Sequence, residues 1–205
     1  MKPLLAAVKP LLAAASTMIL LSACAASHPD HFYILSTQPA GAGEARTSPV
    51  APASLRVTLP SVVDRPEMVL NTSADDVIVQ EHQRWAAPLA DLVTQTLARD
   101  LERRRSDLLV ADSSVNRSSG SVIKINVDVV QLTVHRGRQA SIEAHWQILD
   151  PRTGKEAVGG DVFSAPLGQD DYAAVAQALS QCLGLLADRL VGALTAGPPR
   201  RYGPN

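Results

Sequence analysis

Residues 121–150, SVIKINVDVVQLTVHRGRQASIEAHWQILD, decide the fold. Apolar and polar residues alternate from Ile123 to Val129 and again from Val130 to Val134, which is the period of a β-strand with one buried face. The apolar positions slip by one residue between Val129 and Val130. Because such a slip turns every following side chain to the other face, the sequence predicts a β-bulge there.

A returning strand follows this long strand. The segment 135–138, HRGR, predicts a hairpin turn, and the strand after it buries alternate positions at Ile142, Ala144, Trp146 and Ile148. The segment 150–154, DPRTG, predicts a second turn, and a last strand around 158–164 completes an antiparallel meander. Shorter apolar runs predict further strands at 31–35, 55–59, 68–70, 77–79 and 108–110.

Two segments have the apolar spacing of amphipathic helices. Pro88 opens the first, whose apolar positions follow the i, i+3, i+4, i+7 rule: Leu89, Leu92, Val93, Thr96, Leu97 and Leu101. Asp170 and Asp171 cap the second, and its apolar stripe is Val175, Leu179, Cys182, Leu183, Leu186, Leu190, Val191 and Leu194. The predicted fold class is α+β, a mostly antiparallel sheet with two amphipathic helices packed on one face.

The amino terminus has the pattern of a secretory signal. Lys2 and Lys9 precede the apolar run 10–21, which is short for a membrane span, and Leu21-Ser22-Ala23-Cys24 is a lipobox. We therefore expect residues 1–23 to be removed and Cys24 to carry a covalent diacylglycerol and an N-acyl lipid. The expected organisation is a lipidated tether at 24–31, one domain at 32–196 with a flexible loop at 36–53, and a loose tail at 197–205.

Composition narrows the function classes. The chain has 205 residues and a formal charge of −1. Without the two signal lysines the mature part has 17 basic and 20 acidic residues, a net charge of −3, which gives no reason to expect a nucleic acid partner. The second cysteine, Cys182, falls on the apolar stripe of the last helix, so we interpret it as a small buried hydrophobic residue and not as half of a disulfide.

No catalytic or metal-binding motif is found in the sequence, and we expect no metal and no cofactor apart from the lipid on Cys24. The five histidines do not share a helix face at ligand spacing, and the hairpin register keeps His135 and His145 from facing each other. The basic run Arg103–Arg105 has two interpretations. It is either a solvated helix terminus, favoured by the helix dipole, or a contact for phosphate or lipid headgroups.

Four pieces of the chain together resemble one family. They are the lipobox at Cys24, the run FYIL at 32–35, the segment VTLPSVVDRPEMV at 57–69 and the segment EHQRWAAPL at 81–89. The chain resembles the ABC-type transport auxiliary lipoproteins, the PqiC-like family. That family often has an acidic residue just before the helix-opening proline, where this chain has Ala87.

The resemblance implies a non-enzymatic subunit of an intermembrane transport system. Its expected partners are an MCE-domain protein and inner-membrane transporter components, its expected cargo is phospholipid or another hydrophobic molecule, and a homo-oligomer is possible. Ala25, after the lipidated cysteine, implies sorting to the outer membrane, facing the periplasm. The candidates for partner contacts or structural keystones are Asp64, Arg65, Pro66, Glu67, Arg84 and Trp85.

Two other functions compete with this one. The chain could be a lipoprotein subunit of another envelope biogenesis or secretion assembly, since a sheet with two helices suits either role. It could also be a lipid-anchored hydrolase, which would need a pocket with convergent titratable groups.

Overall fold

The structure is a computed structural model that describes residues 29–40, 51–112 and 122–195. Contacts divide the chain into two compact units, Met1–Asp30 and His31–Asn205. Nearly all described residues belong to the second unit. The predictions for the signal, for Cys24 and for the tail at 197–205 lie outside the described residues.

The elements of the described chain are, in order, β1 (His31–Tyr33), β2 (Ala51–Thr58), β3 (Glu67–Asn71), β4 (Val77–Trp85), α1 (Leu89–Arg104), β5 (Leu108–Asp112), β6 (Ile123–His135), β7 (Gln139–Asp150), β8 (Lys155–Pro166) and α2 (Tyr172–Thr195). The α+β class is confirmed. A three-stranded sheet has the order β1-β4-β3, and a five-stranded sheet has the order β5-β2-β6-β7-β8.

The long hairpin forms as the alternation predicts. β6 and β7 pair antiparallel, and their register shifts between Val129 and Gln131, which confirms the bulge. Val130, the extra residue, is 44% exposed. Gly137 in the turn has φ +69, a conformation that a residue without a Cβ adopts at no steric cost.

The prediction of one mostly antiparallel sheet is confirmed only in part. There are two sheets, and β2 runs parallel to both of its neighbours, β5 and β6, while β1 runs parallel to β4. The reason is topological. Parallel neighbours are joined by long crossovers, here through the small sheet and α1, and local alternation contains no information about which distant strand becomes the neighbour.

The predicted loop 36–53 extends too far toward the C-terminus, because Ala51, Pro52 and Ala53 belong to β2. Pro52 pairs with Leu109 of β5, and pairing with β6 begins only at Ala53. The proline therefore lies before the doubly paired part of the strand, where its missing N–H does not interrupt a ladder on both sides.

Both helices contact the five-stranded sheet. α1 packs on β2 and β5, α2 packs on β7 and β8, and the two helices contact each other. The core between them contains fully buried side chains such as Leu97, Leu101, Leu183 and Leu186. No helix in the described part of the chain is long and apolar enough to cross a membrane.

Candidate docking site

The structure brings together the six residues selected from the sequence. Asp64, Arg65 and Pro66 form the turn before β3, Glu67 is the first residue of β3, and Arg84 and Trp85 end β4. Glu67 and Arg84 are direct partners in the antiparallel register of these strands. Residues 17 positions apart in sequence therefore meet at the end of the three-stranded sheet.

Glu67 is the centre of an ion-pair chain. Its carboxylate lies 3.1 Å from Nε of Arg65 and 3.2 Å from Nη2 of Arg84. The hydrogen bond from Arg65, together with the charges of both arginines, holds the pKa of Glu67 below its usual value. Both arginine side chains keep about a third or more of their surface exposed, at 42% and 34%, so they remain accessible to a partner.

Trp85 is buried in the core beneath the docking candidates. It is 5% exposed, and its backbone N–H donates to the carbonyl of Pro66 at 2.7 Å. The apolar space beside its ring is only about 10 Å³. The structure thus favours a structural role for Trp85 and Pro66 over direct contact with a partner.

Asp64 contacts the start of α1. Pro88 precedes the helix without any side-chain cap, and Oδ1 of Asp64 accepts a hydrogen bond from the backbone N–H of Ala90 at 3.3 Å. The first N–H groups of a helix have no partner within it, and a carboxylate there also benefits from the helix dipole. A residue of the preceding turn therefore satisfies the N–H of Ala90 in the first turn of the helix. The residue just before Pro88 is Ala87 in this chain, and not the acidic residue expected there from the family resemblance.

An exposed apolar pair lies beside the ion-pair chain. Phe32 is 63% exposed and is the direct partner of Arg84 in the parallel register of β1 and β4, so Phe32, Arg84 and Glu67 form a row on one face of the sheet. Ile34, two residues later, is 61% exposed. We call these residues and Arg65 the docking patch: Phe32, Ile34, Arg65, Glu67 and Arg84.

Sequence reasoning missed Phe32 and Ile34 as surface residues, since 31–35 is a continuous apolar run. The alternation of a strand would have shown that Tyr33 and Leu35 cannot share a face with them. In the structure Tyr33 is partly buried and Leu35 is buried.

Tyr33 joins the small sheet to the start of α2. Its hydroxyl donates to Oε1 of Gln83 at 2.6 Å, and its ring centroid lies 6.4 Å from that of Tyr172, whose hydroxyl donates to Oε1 of Gln80 at 2.7 Å. Burial, followed by the charge of Asp171, raises the pKa of Tyr33. These contacts hold the side chain of Tyr33, which lies next to the docking patch in the chain, on the core side of β1.

The segment after β1 is also fixed. The backbone N–H of Ser36 donates to Oγ of Ser180 at 3.0 Å, and the N–H of Gln38 donates to Oδ1 of Asp100 at 2.9 Å. Asp100 is completely buried, and burial raises its pKa despite the charge of Arg104 at 3.4 Å. These hydrogen bonds fix the backbone that follows β1, next to the exposed side chains of the docking patch.

The basic run at the end of α1 is engaged within the chain. Arg103 donates to Oγ1 of Thr37, Arg104 pairs with Asp100 and Asp188, and Arg105 pairs with Asp107. The side chain of Arg104 is only 7% exposed. Structural ion pairs, and not a solvated terminus, account for most of this run.

The titratable side chains in the described part of the chain form no metal-binding cluster. No three side chains of His, Cys, Asp or Glu there lie close enough to hold a metal ion. His135 opposes Gln139 and His145 opposes Asp128, so the two histidines do not meet. Cys182 is fully buried, as predicted, and burial raises the pKa of its thiol to about 12.

A family model described as "ABC-type transport auxiliary lipoprotein component" matches residues 33–191, most of the chain. No curated protein matches. Protein XCC0632 from Xanthomonas campestris has a similar fold, with a TM-score of 0.62 at 20% identity over 79% of this chain and 93% of that one. A second structure, described as an uncharacterized protein, has a TM-score of 0.68 at 15% identity over 82% of this chain and 100% of that one. At these identities the two structures show the fold alone.

Proposed function

This chain belongs to the family of ABC-type transport auxiliary lipoprotein components, and on that premise we propose that it is a lipid-anchored periplasmic subunit that docks a transporter. The proposed system pairs an inner-membrane ABC transporter with MCE-domain proteins and moves phospholipid or other hydrophobic molecules between the inner and outer membranes. The subunit acts by binding its partner and not by catalysis.

The docking patch is the observation that carries this proposal. Phe32 exposes an aromatic ring beside two arginines that are held in place by Glu67. Aromatic residues and arginine are enriched at the energetic centres of protein interfaces, where a rigid anchor loses little conformational entropy on binding. The patch has this composition, and the contacts of Tyr33 and Gln38 make it rigid.

A docking role also fits the packing around Trp85 better than a cargo-carrying role. The apolar space there, about 10 Å³, is comparable to the room needed for a single water molecule. A lipid chain would require this part of the core to open. The space beside Trp85 is therefore too small for a lipid chain, and we propose that the subunit positions the transporter.

The proposed anchor is the lipid on Cys24. Its diacylglycerol and N-acyl chains together give stable membrane attachment, whereas one chain binds only marginally. Ala25 favours the outer membrane. Six residues separate Cys24 from His31, so the seven Cα–Cα steps of an extended tether reach at most about 25 Å. The docking patch would then operate close to the membrane that carries the anchor.

The proposal is tested by affinity purification of the full-length lipoprotein from detergent-solubilised envelopes. Phe32→Ser removes the exposed ring, and Leu185→Ser is the matched control, because Leu185 is an exposed apolar residue on α2. We expect the unsubstituted protein and Leu185→Ser to recover an MCE-domain partner and Phe32→Ser to lose most of it. Recovery of a different envelope assembly, or equal recovery by Phe32→Ser, would overturn the proposal.

A further inference from the structure

One arginine of the basic run at the end of α1 differs from the other two. Arg104 and Arg105 pair with carboxylates, whereas Arg103 donates only to the hydroxyl of Thr37, at 2.9 Å. The side chain of Arg103 is exposed, and it forms no ion pair with a carboxylate in the described part of the chain. Its charge is therefore available to an anion from outside the chain.

A second arginine lies one helical turn before Arg103. Arg99 is exposed and makes no hydrogen bond or ion pair with a described residue. Residues four apart on a helix share a face, with their Cβ atoms about 5 to 6 Å apart, and two like charges at this spacing destabilise the helix. An anion that contacts both guanidinium groups would remove this repulsion.

Both arginines line one cleft, together with Thr37 and Glu102. The volume of this cleft is about 380 Å³, which lies within the usual range of ligand pockets, about 300 to 1,000 Å³. The cleft is open toward solvent along one side. It is therefore suited to the polar end of a larger molecule, the rest of which stays outside.

Thr37 adds a hydroxyl donor to the cleft. Its Oγ1 accepts the hydrogen bond from Arg103, so the hydroxyl proton is left to donate to an anion. Both chain neighbours, Ser36 and Gln38, donate their backbone N–H groups to side chains of the two helices. The hydroxyl is thus held in place before any ligand arrives, which lowers the entropic cost of binding.

The acidic groups near the cleft are engaged elsewhere. Oε1 of Glu102 accepts a hydrogen bond from the backbone N–H of Val110 at 2.9 Å, so this carboxylate is held toward β5. Asp100 is completely buried and lies 3.4 Å from Arg104. The charged lining of the cleft is two arginines and one glutamate, a net charge of +1.

We propose that this cleft binds the phosphate group of an anionic phospholipid headgroup in the membrane that carries the anchor. A phosphodiester has two unesterified oxygens, which can accept from Arg99 and Arg103, and Thr37 donates a further hydrogen bond. The planar fork of an arginine matches phosphate oxygens, and such charge-assisted hydrogen bonds are the strong ones. The single negative charge of a phosphodiester also matches the net charge of the lining.

The position of the anchor favours a lipid headgroup over free phosphate, a step that rests on the proposed lipid at Cys24. Thr37 follows His31 by six residues, at most about 22 Å in an extended chain. The tether before His31 reaches about the same distance, so the bilayer and the cleft are within reach of each other. The contact holds this end of α1 against the bilayer and orients the domain on it.

Arginine footprinting on membranes tests the proposal. The full-length lipoprotein is inserted into vesicles of phosphatidylcholine, with or without phosphatidylglycerol, and treated with phenylglyoxal, which modifies uncovered guanidinium groups. Peptide mass spectrometry gives the modification rate of each arginine. We expect phosphatidylglycerol to slow modification of Arg99 and Arg103 roughly fivefold. Arg56 is the internal control, because it is exposed on the face of β2 opposite the buried Leu55.

A third sample separates the two sources of phosphate. Vesicles of phosphatidylcholine alone receive inorganic phosphate at the same concentration as the phosphatidylglycerol, and we expect little protection of Arg99 and Arg103. Equal protection by inorganic phosphate would assign the cleft to the free ion and overturn the lipid proposal. Equal slowing at Arg56 in phosphatidylglycerol vesicles would show a general attraction to a charged surface, and absence of any protection would also overturn it.

Coupling between the two arginines gives an independent readout. Because they share one phosphate, Arg103→Gln should remove most of the protection at Arg99. Arg56→Gln is the matched control, since it removes the same charge from an exposed position outside the cleft. Equal effects of the two variants on Arg99 would overturn the proposal. Phe32→Ser should leave the protection unchanged, so a failure of the docking patch and a failure of this cleft are seen separately.

Discussion

The carboxylate of Asp64 and the backbone N–H of Ala90 meet at 3.3 Å, although 26 residues separate them. This hydrogen bond supports a helix whose own preceding residue, Pro88, offers no cap. We expect Asp64→Ala to lower the free energy of unfolding by about 0.5 to 1 kcal/mol, the lower range for loss of a helix cap. Asp75→Ala, in an exposed loop, should change it by much less. Denaturant unfolding of both variants measures the difference, and equal effects would contradict the capping role.

Glu67 makes the stability of the folded chain depend on pH. Its pKa is lowered first by the hydrogen bond from Arg65. Because the folded state lowers the pKa, the stabilising contribution of Glu67 is present above its unfolded pKa and is lost as the pH falls through its folded pKa. Arg65→Met should raise the pKa of Glu67 toward its usual value. A carboxyl titration followed by NMR shows the shift, and an unchanged pKa would mean that Arg65 is not its main partner.

Gly159 makes room for the Trp146 ring. A Cβ at Gly159 would lie 2.6 Å from Cζ2 of Trp146. Gly159→Ala should therefore lower the free energy of unfolding by about 1 to 3 kcal/mol through overpacking. Gly168→Ala is the matched control, since a Cβ there meets nothing within 4 Å. Thermal unfolding compares the two, and a neutral Gly159→Ala would show that the tryptophan moves freely.

Asp100 fixes the segment after β1. Asp100→Ala removes a buried acceptor from the N–H of Gln38, a hydrogen bond to a charged group that contributes roughly 1.5 to 3 kcal/mol. Hydrogen exchange should show loss of protection at the Gln38 amide. Asp100→Asn keeps a carbonyl acceptor and should retain much of that protection, whereas equal loss in both variants would point to the ion pair with Arg104 instead.

The pH dependence of Asp100 has the opposite sign to that of Glu67. Burial raises the pKa of Asp100 in the folded state. Its contribution to stability is therefore greatest below its unfolded pKa and is lost as the pH rises through its folded pKa. The unsubstituted chain should lose stability relative to Asp100→Asn over this range, as measured by denaturant unfolding at a series of pH values.

The sequence predicts those parts of the fold that depend on neighbours in the chain. The β6–β7 hairpin and its bulge follow from alternation across Val129 and Val130, and the buried stripe of α2 follows from helical spacing. The parallel position of β2 between β5 and β6 does not, because it depends on which distant strands meet.

The candidate site shows the same division. The segments DRPE and RW were recognisable as motifs, but their meeting through Glu67 and Arg84 depends on the β3–β4 register. The exposure of Phe32 depends on which face of β1 packs against Tyr172, a residue 140 positions away in the chain. Contacts of this kind are absent from any local pattern.

Site-specific photocross-linking at position 32 tests the central claim most directly. A photoreactive phenylalanine analogue replaces Phe32 in the full-length lipoprotein in cells, and the same analogue at Leu185 is the control. The account predicts a cross-link from position 32 to an MCE-domain or transporter protein, and none from position 185. A cross-link from position 185 alone, or from position 32 only to proteins of another assembly, would contradict docking through this patch.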